Sequence, residues 1–199
     1  TNGANGATYR FNSGDALILN DGVGINDSSG TDDIVTLNFV SANNFLIGVT
    51  SADNIISNGG DITLSSGGAF NQQLSSIDAG AGKVSISASS VTLGGDIISN
   101  NASSDAIQIS STSSLVDNND LAVDVQAING GAILTAGGVM QLDTDTASLS
   151  IANAGGTTNI DSANATSINN LLFSGGDANI ETLAGNLAIN NTIDTNGSD

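Results

Sequence analysis

Any chemistry in this chain falls to carboxylates, amides and hydroxyls, because it has no His, no Cys and only two cations, Arg10 and Lys83. Ser–His and Cys–His nucleophile pairs are therefore excluded, as are imidazole and thiolate metal sites, and no serine has an evident activating base. Abstracting a proton from an acidic sugar needs a basic group beside the uronate, and two cations far apart in sequence do not supply one. Carboxylate pairs for glycoside hydrolysis exist in principle. Asp143 and Asp145 share a strand face by their two-residue spacing, an arrangement that a solvated face explains equally well. The chain reads as non-enzymatic, with no catalytic residues and no organic cofactor.

Calcium is the one ligand these residue types favour. Asp21, Asp27, Asp32 and Asp33 lie in a stretch of Asn amides and glycine turns (NDGVGIND, then GTDDIVTL), and hard oxygens on such turns are what Ca²⁺ takes. Asp117 with Asp120, and Asp143 with Asp145, are lesser candidates of the same kind. An acidic loop without an ion is the plain alternative for each.

The elements that must position these groups are clearest in Lys83 to Asn101, KVSISASSVTLGGDIISNN. Three short alternating runs (Val84/Ile86, Val91/Leu93 and Ile97) are separated by Ala-Ser-Ser and Gly-Gly-Asp. Alternation of this kind marks a strand with one buried face, and small or glycine breaks mark corners. Three strands and three corners in about twenty residues describe one coil of a solenoid. The expected fold is all-β, a right-handed parallel β-helix (β-solenoid) of about seven or eight coils of three short strands.

Further strands are expected at ITLS (62–65), AIQIS (106–110), LAVDV (121–125), VMQL (139–142), SLSIA (148–152), ANIET (178–182) and NLAIN (186–190). Glycine landmarks between them recur at a loose period, so the corner loops should vary in length. Residues 55–199 form the expected parallel β-helix. Residues 1–54 are richer in aromatics (Tyr9, Phe11, Phe39, Phe45) and are expected to be an N-terminal cap or irregular first coils, since an open terminal coil exposes apolar side chains and unpaired edges. The absence of Pro fits strands paired on both sides, where a missing N–H orphans a carbonyl. Asn near the corners tolerates left-handed backbone and can ladder its amides between coils.

Charge narrows the partners. With a net charge of −18, the chain cannot release counterions from a nucleic-acid backbone, and an anionic membrane surface repels it. No apolar run approaches the ~18 residues of a spanning helix, so membrane insertion is not expected.

The segment Ser75–Asn101, with GGDITLSSGGAF (59–70), resembles the repeats of filamentous-haemagglutinin-like adhesins, large secreted proteins of Gram-negative bacteria. The likeness lies in Leu93-Gly94-Gly95-Asp96-Ile97 and in the G-x-G-x-V-x-I run Gly80 to Ile86, and it extends loosely over residues 55–197. The first fifty residues do not resemble that family's amino-terminal secretion domain. The resemblance implies a secreted or cell-surface location and a part in adhesion, biofilm or filament formation. Implied partners are a host or neighbouring cell surface, a glycan, or the chain itself. Two functions follow as expectations: a structural and adhesive segment of a large surface adhesin, or a self-assembling filament subunit joined end to end by strand addition. A β-helical polysaccharide-active enzyme is the remote alternative.

Overall fold

The computed structural model describes residues 8–19, 25–26, 36–48, 53–57, 59–118 and 122–195. Within these, every strand pairs in parallel, and the chain winds as a β-solenoid of about seven turns. No helix occurs among the described residues. The parallel pairing throughout rules out a sandwich of antiparallel sheets or an up-and-down barrel.

The first four coils repeat one plan. They comprise β1 (Thr8–Ser13), β2 (Leu17–Leu19) and β3 (Ile25–Asn26); β4 (Thr36–Ser41), β5 (Phe45–Ile47) and β6 (Ile55–Ile56); β7 (Ile62–Ser66), β8 (Ala69–Gln72) and β9 (Ile77–Asp78); and β10 (Val84–Ala88), β11 (Ser90–Leu93) and β12 (Ile97–Ile98). The 83–101 stretch is thus one coil, as its alternation predicts. Next come β13 (Ile107–Ser111), β14 (Leu115–Asp117), β15 (Val125–Ala136) and β16 (Met140–Asn153), then β17 (Thr158–Ser162), β18 (Thr166–Phe173), β19 (Ala178–Thr182), β20 (Leu187–Ile189) and β21 (Ile193–Asp194).

Three expected strands differ. LAVDV does not form one strand: β15 begins only at Val125 and runs on past Gly130-Gly131, which bends the strand instead of ending it. VMQL and SLSIA are parts of the single strand β16, which wraps all three faces of its coil.

Alternation places every second side chain inside, and the parallel register stacks these residues into columns. One runs Tyr9, Leu37, Ile62, Val84, Ile107, Ala132, Leu149, Ile168, Ile189. A second runs Phe11, Phe39, Leu64, Ile86, Ile109, Leu134, Ile151, Leu171, Ile193. Burial of each such side chain stabilises by about 1.5–3 kcal/mol, which works against the ordering entropy of the chain.

Coil length varies along the stack, from 28 residues between Tyr9 and Leu37 to 17 between Ala132 and Leu149. In the first coils aromatic rings fill the interior. Phe11 stacks on Phe39 at 4.8 Å, Phe39 lies 5.9 Å from Phe45, and Phe45 meets Phe70 edge-on at 5.5 Å. The aromatic-rich segment thereby supplies coils continuous in register with those that follow. Short coils take small side chains: the third inner column passes from Ile25, Ile55, Ile77 and Ile97 to Val125, Thr144 and Ser162.

Corners are held by buried hydroxyls and by glycines. At one corner the hydroxyls of Ser13, Ser41, Ser66 and Ser111 each donate to the carbonyl three residues on, at 2.8–3.1 Å. Those of Ser41, Ser66 and Ser111 also reach a carbonyl of the preceding coil. This satisfies polar groups that burial would otherwise orphan. At Gly95 the neighbouring coil passes so close that a Cβ would lie 2.0 Å from the Ser75 carbonyl oxygen, so only glycine fits. Amides ladder between coils at Asn159–Asn179, 3.0 Å, and Asn169–Asn190, 3.5 Å.

Candidate functional site

The best calcium candidates from sequence, Asp21, Asp27, Asp32 and Asp33, lie outside the described residues, as does Asp120. Asp117, Asp143 and Asp145 are described. Asp143 and Asp145 both occupy outward positions of β16, and Asp145 accepts a hydrogen bond from the Asn164 amide at 3.1 Å.

What the fold assembles is a trio. Carboxylate oxygens of Asp117, Asp124 and Asp143 lie within 4.8 Å of one another. Asp117 ends β14 and takes the register position held by Leu93 in the preceding coil, which turns it towards the interior at a corner. Asp124 stands just before β15 and is buried, 4 % exposed. A reciprocal pair ties it to Asp143: the Asp124 N–H donates to the Asp143 carbonyl at 2.9 Å, and the Asp143 N–H donates to the Asp124 carboxylate at 3.1 Å. Sequence reasoning missed Asp124, because within LAVDV it occupies a polar, outward slot of an ideal alternation. One signal could have found it: 19 residues separate Asp124 from Asp143, one coil in this part of the helix.

Chemically, the trio offers hard oxygen donors of the kind Ca²⁺ takes, from carboxylates contributed by adjacent coils.

The second charged feature is the ion pair between adjacent coils. The Lys83 ammonium donates to both carboxylate oxygens of Asp105 at 2.7 and 2.8 Å, and the Lys83 backbone N–H donates to the Asp61 carboxylate at 2.8 Å. The hydrogen bond from Lys83, with help from Ser103, holds the Asp105 carboxyl below the usual carboxylate range. Both partners are well solvated, at 39 % and 33 % side-chain exposure, so the pair aligns coils more than it stabilises them.

The lateral faces are the remaining surface. On one of them, outward positions stack as Arg10, Asn38, Thr63, Ser85 and Gln108, flanked by Val40, Ser65, Ser87 and Ser110. Beyond Arg10 and Val40 these make ranks of neutral hydroxyls and amides repeating at the coil spacing of about 4.8 Å. Among family models, curated proteins and solved structures, none matches the chain.

Proposed function

We propose that the chain is a non-enzymatic, extracellular structural and adhesive column, a segment of a large secreted surface protein. The observation that carries this reading is the pair of inner columns running without a break from Tyr9 to Ile189 and from Phe11 to Ile193. A stack held in this way transmits force along backbone hydrogen bonds between coils. At about 4.8 Å per coil, seven turns give a column roughly 35 Å tall. Its lateral ranks of Ser, Thr, Asn and Gln then serve as the adhesive surface, with hydroxyl and amide groups suited to sugar hydroxyls on a host or neighbouring cell.

The resemblance to filamentous-haemagglutinin-like repeats supports the same role, and the charge of −18 supports a solvated surface that repels nucleic acid. The test is binding of the purified chain to a glycan panel and to bacterial and animal cells, with release of sugar products from acidic polysaccharides assayed alongside. Saturable binding without product supports the reading. Product release, or no binding to any cell or glycan, overturns it.

A further inference from the structure

One interior corner holds three polar side chains shut away from solvent. Asp53 and Gln72 are 0 % exposed and Ser75 is 1 % exposed. Gln72 ends β8 in an inward column, paired with Ile47 of the preceding coil, and the register continues to Leu93 of the next. Ser75 stands two residues before Ile77, as Asp53 does before Ile55, so the pairing of those isoleucines sets the two side by side on adjacent coils. The Ile55 N–H donates to the Ser76 carbonyl at 3.0 Å, and the Ser76 N–H donates to the Asn54 side-chain oxygen at 2.8 Å, which pins that alignment.

Two of these side chains leave a buried oxygen bare: among the described residues, Gln72 Oε1 and Ser75 Oγ have no hydrogen-bond partner. The Gln72 amide cannot turn over to hide its carbonyl. Its nitrogen donates to the Ser75 carbonyl at 2.6 Å and lies 3.4 Å from the Asp96 carbonyl of the next coil, and only an NH₂ group suits two acceptors. With the nitrogen turned towards the next coil, Oε1 is turned back towards the coil of Asp53. Ser75 Oγ faces the same way, since a Cβ at Gly48 of that coil would lie 2.5 Å from it. Orphaned oxygens are rare in protein interiors, and this corner places two of them beside a buried carboxylate.

We propose that this corner binds a hard metal cation, Ca²⁺ or Na⁺, between the β4–β6 and β7–β9 coils. Its ligands are the Asp53 carboxylate, Gln72 Oε1 and Ser75 Oγ, an all-oxygen set without the nitrogen or sulfur donors that transition metals prefer. A water molecule would meet the two neutral oxygens equally well, and charge is what selects the cation. The Asp53 carboxylate is wholly out of contact with solvent, and a buried carboxylate calls for positive charge beside it. Of the two cationic side chains in the sequence, Lys83 is bound to Asp105. A net charge of −18 also concentrates free cations around the column. The site is separate from the acidic trio and independent of what the lateral faces bind.

The test is calorimetric melting of the 199-residue chain, stripped with chelator and held in potassium buffer, as CaCl₂ or NaCl is titrated in. The expected result is a saturable rise, roughly 5–10 °C at a hundredfold excess over half-saturation, and the salt that gives it identifies the ion. Gln72→Leu completes the apolar run between Ile47 and Leu93, so it should melt no lower than the native chain in chelator and yet lose the rise. Asp53→Asn keeps the shape, removes the charge and should lose it too. Asp143→Asn should retain it, which separates this corner from the trio. If either corner variant fails to fold, Ser75→Ala removes one donor with little change of shape and should weaken the affinity at least roughly tenfold. A melting point indifferent to both salts, as a water-filled corner gives, would overturn the proposal. So would a rise that persists in Gln72→Leu, or an affinity unchanged in Ser75→Ala.

Discussion

Ile86 and Ile193 are the same residue type in the same inner column, and they differ in whether a coil lies on both sides. Ile86 is 1 % exposed and sits between Leu64 and Ile109, whereas Ile193 is 47 % exposed with Leu171 on one side only. Replacing either by Ala removes three carbons. At about 0.8 kcal/mol per buried methylene the transfer loss at Ile86 is about 2.4 kcal/mol. A cavity walled by two coils that cannot collapse raises this to about 3–4 kcal/mol. At Ile193 roughly half of the transfer term applies and no enclosed cavity forms, so about 1 kcal/mol is expected. Urea denaturation followed by circular dichroism, at a concentration where the chain is monomeric, measures both. Because solenoid coils couple to nearest neighbours, midpoint and slope are to be compared together, the slope showing whether the transition stays cooperative. Equal costs at the two positions, or less than about 1 kcal/mol at Ile86, would refute the account of columns covered on both sides in the middle and open at the end.

Other perturbations address the corners and the charged groups. Ser66→Ala removes the hydroxyl that reaches the Asn43 and Ala69 carbonyls, at an expected cost of about 1 kcal/mol in the same denaturation assay. Gly95→Ala forces a methyl against the Ser75 carbonyl and should cost about 3 kcal/mol, while Gly14→Ala, with nothing within 4 Å, should change stability by less than about 0.5 kcal/mol. Asp143→Asn removes one charge from a trio whose oxygens lie within 4.8 Å of one another. At an effective dielectric of about 20 one such pair repels by about 3.5 kcal/mol, and partial exposure cuts this to about 1, so calorimetry in chelator and low salt should show a melting point about 2–4 °C higher. Millimolar Ca²⁺ should narrow that gap, since a hard cation relieves the same repulsion in the native chain. Lys83→Met tests the pairing that lowers the Asp105 carboxyl. A folded-state pKa below the unfolded one gives stability that is present above the ordinary carboxylate value and lost as pH falls through the folded one. Urea midpoints of native chain and variant should therefore differ by at most about 1 kcal/mol at pH 7 and converge in acid.

The strands were legible where one face is buried and the other wet, because the period of two then appears directly in the residues. Ile62–Ser66 buries every second residue as its alternation implies, and the 83–101 coil has its corners at Ala-Ser-Ser and Gly-Gly-Asp. Glycine was ambiguous as a break. Neighbouring-coil carbonyls crowd both Gly94-Gly95 and Gly130-Gly131, yet the first pair turns a corner and the second lies inside β15, where the register shifts. The acidic trio was hidden for a different reason. Its members are brought together only by stacking, and the offset of that stack varies from coil to coil.

That variation also shapes the interior. After Ala132 the coil shortens to 17 residues, and the inner columns answer with Ala136, Thr144 and Ser162 in place of the phenylalanines and isoleucines of earlier coils. Room returns further on, where Ile168, Leu171, Phe173 and Ile180 border a hollow of about 420 Å³ that Ala178 also lines. Ala178→Phe places a ring there from the column that carries Phe45 and Phe70, and it should raise the urea midpoint of the chain. An unchanged or lower midpoint would show that this column does not accept a larger side chain at its last position.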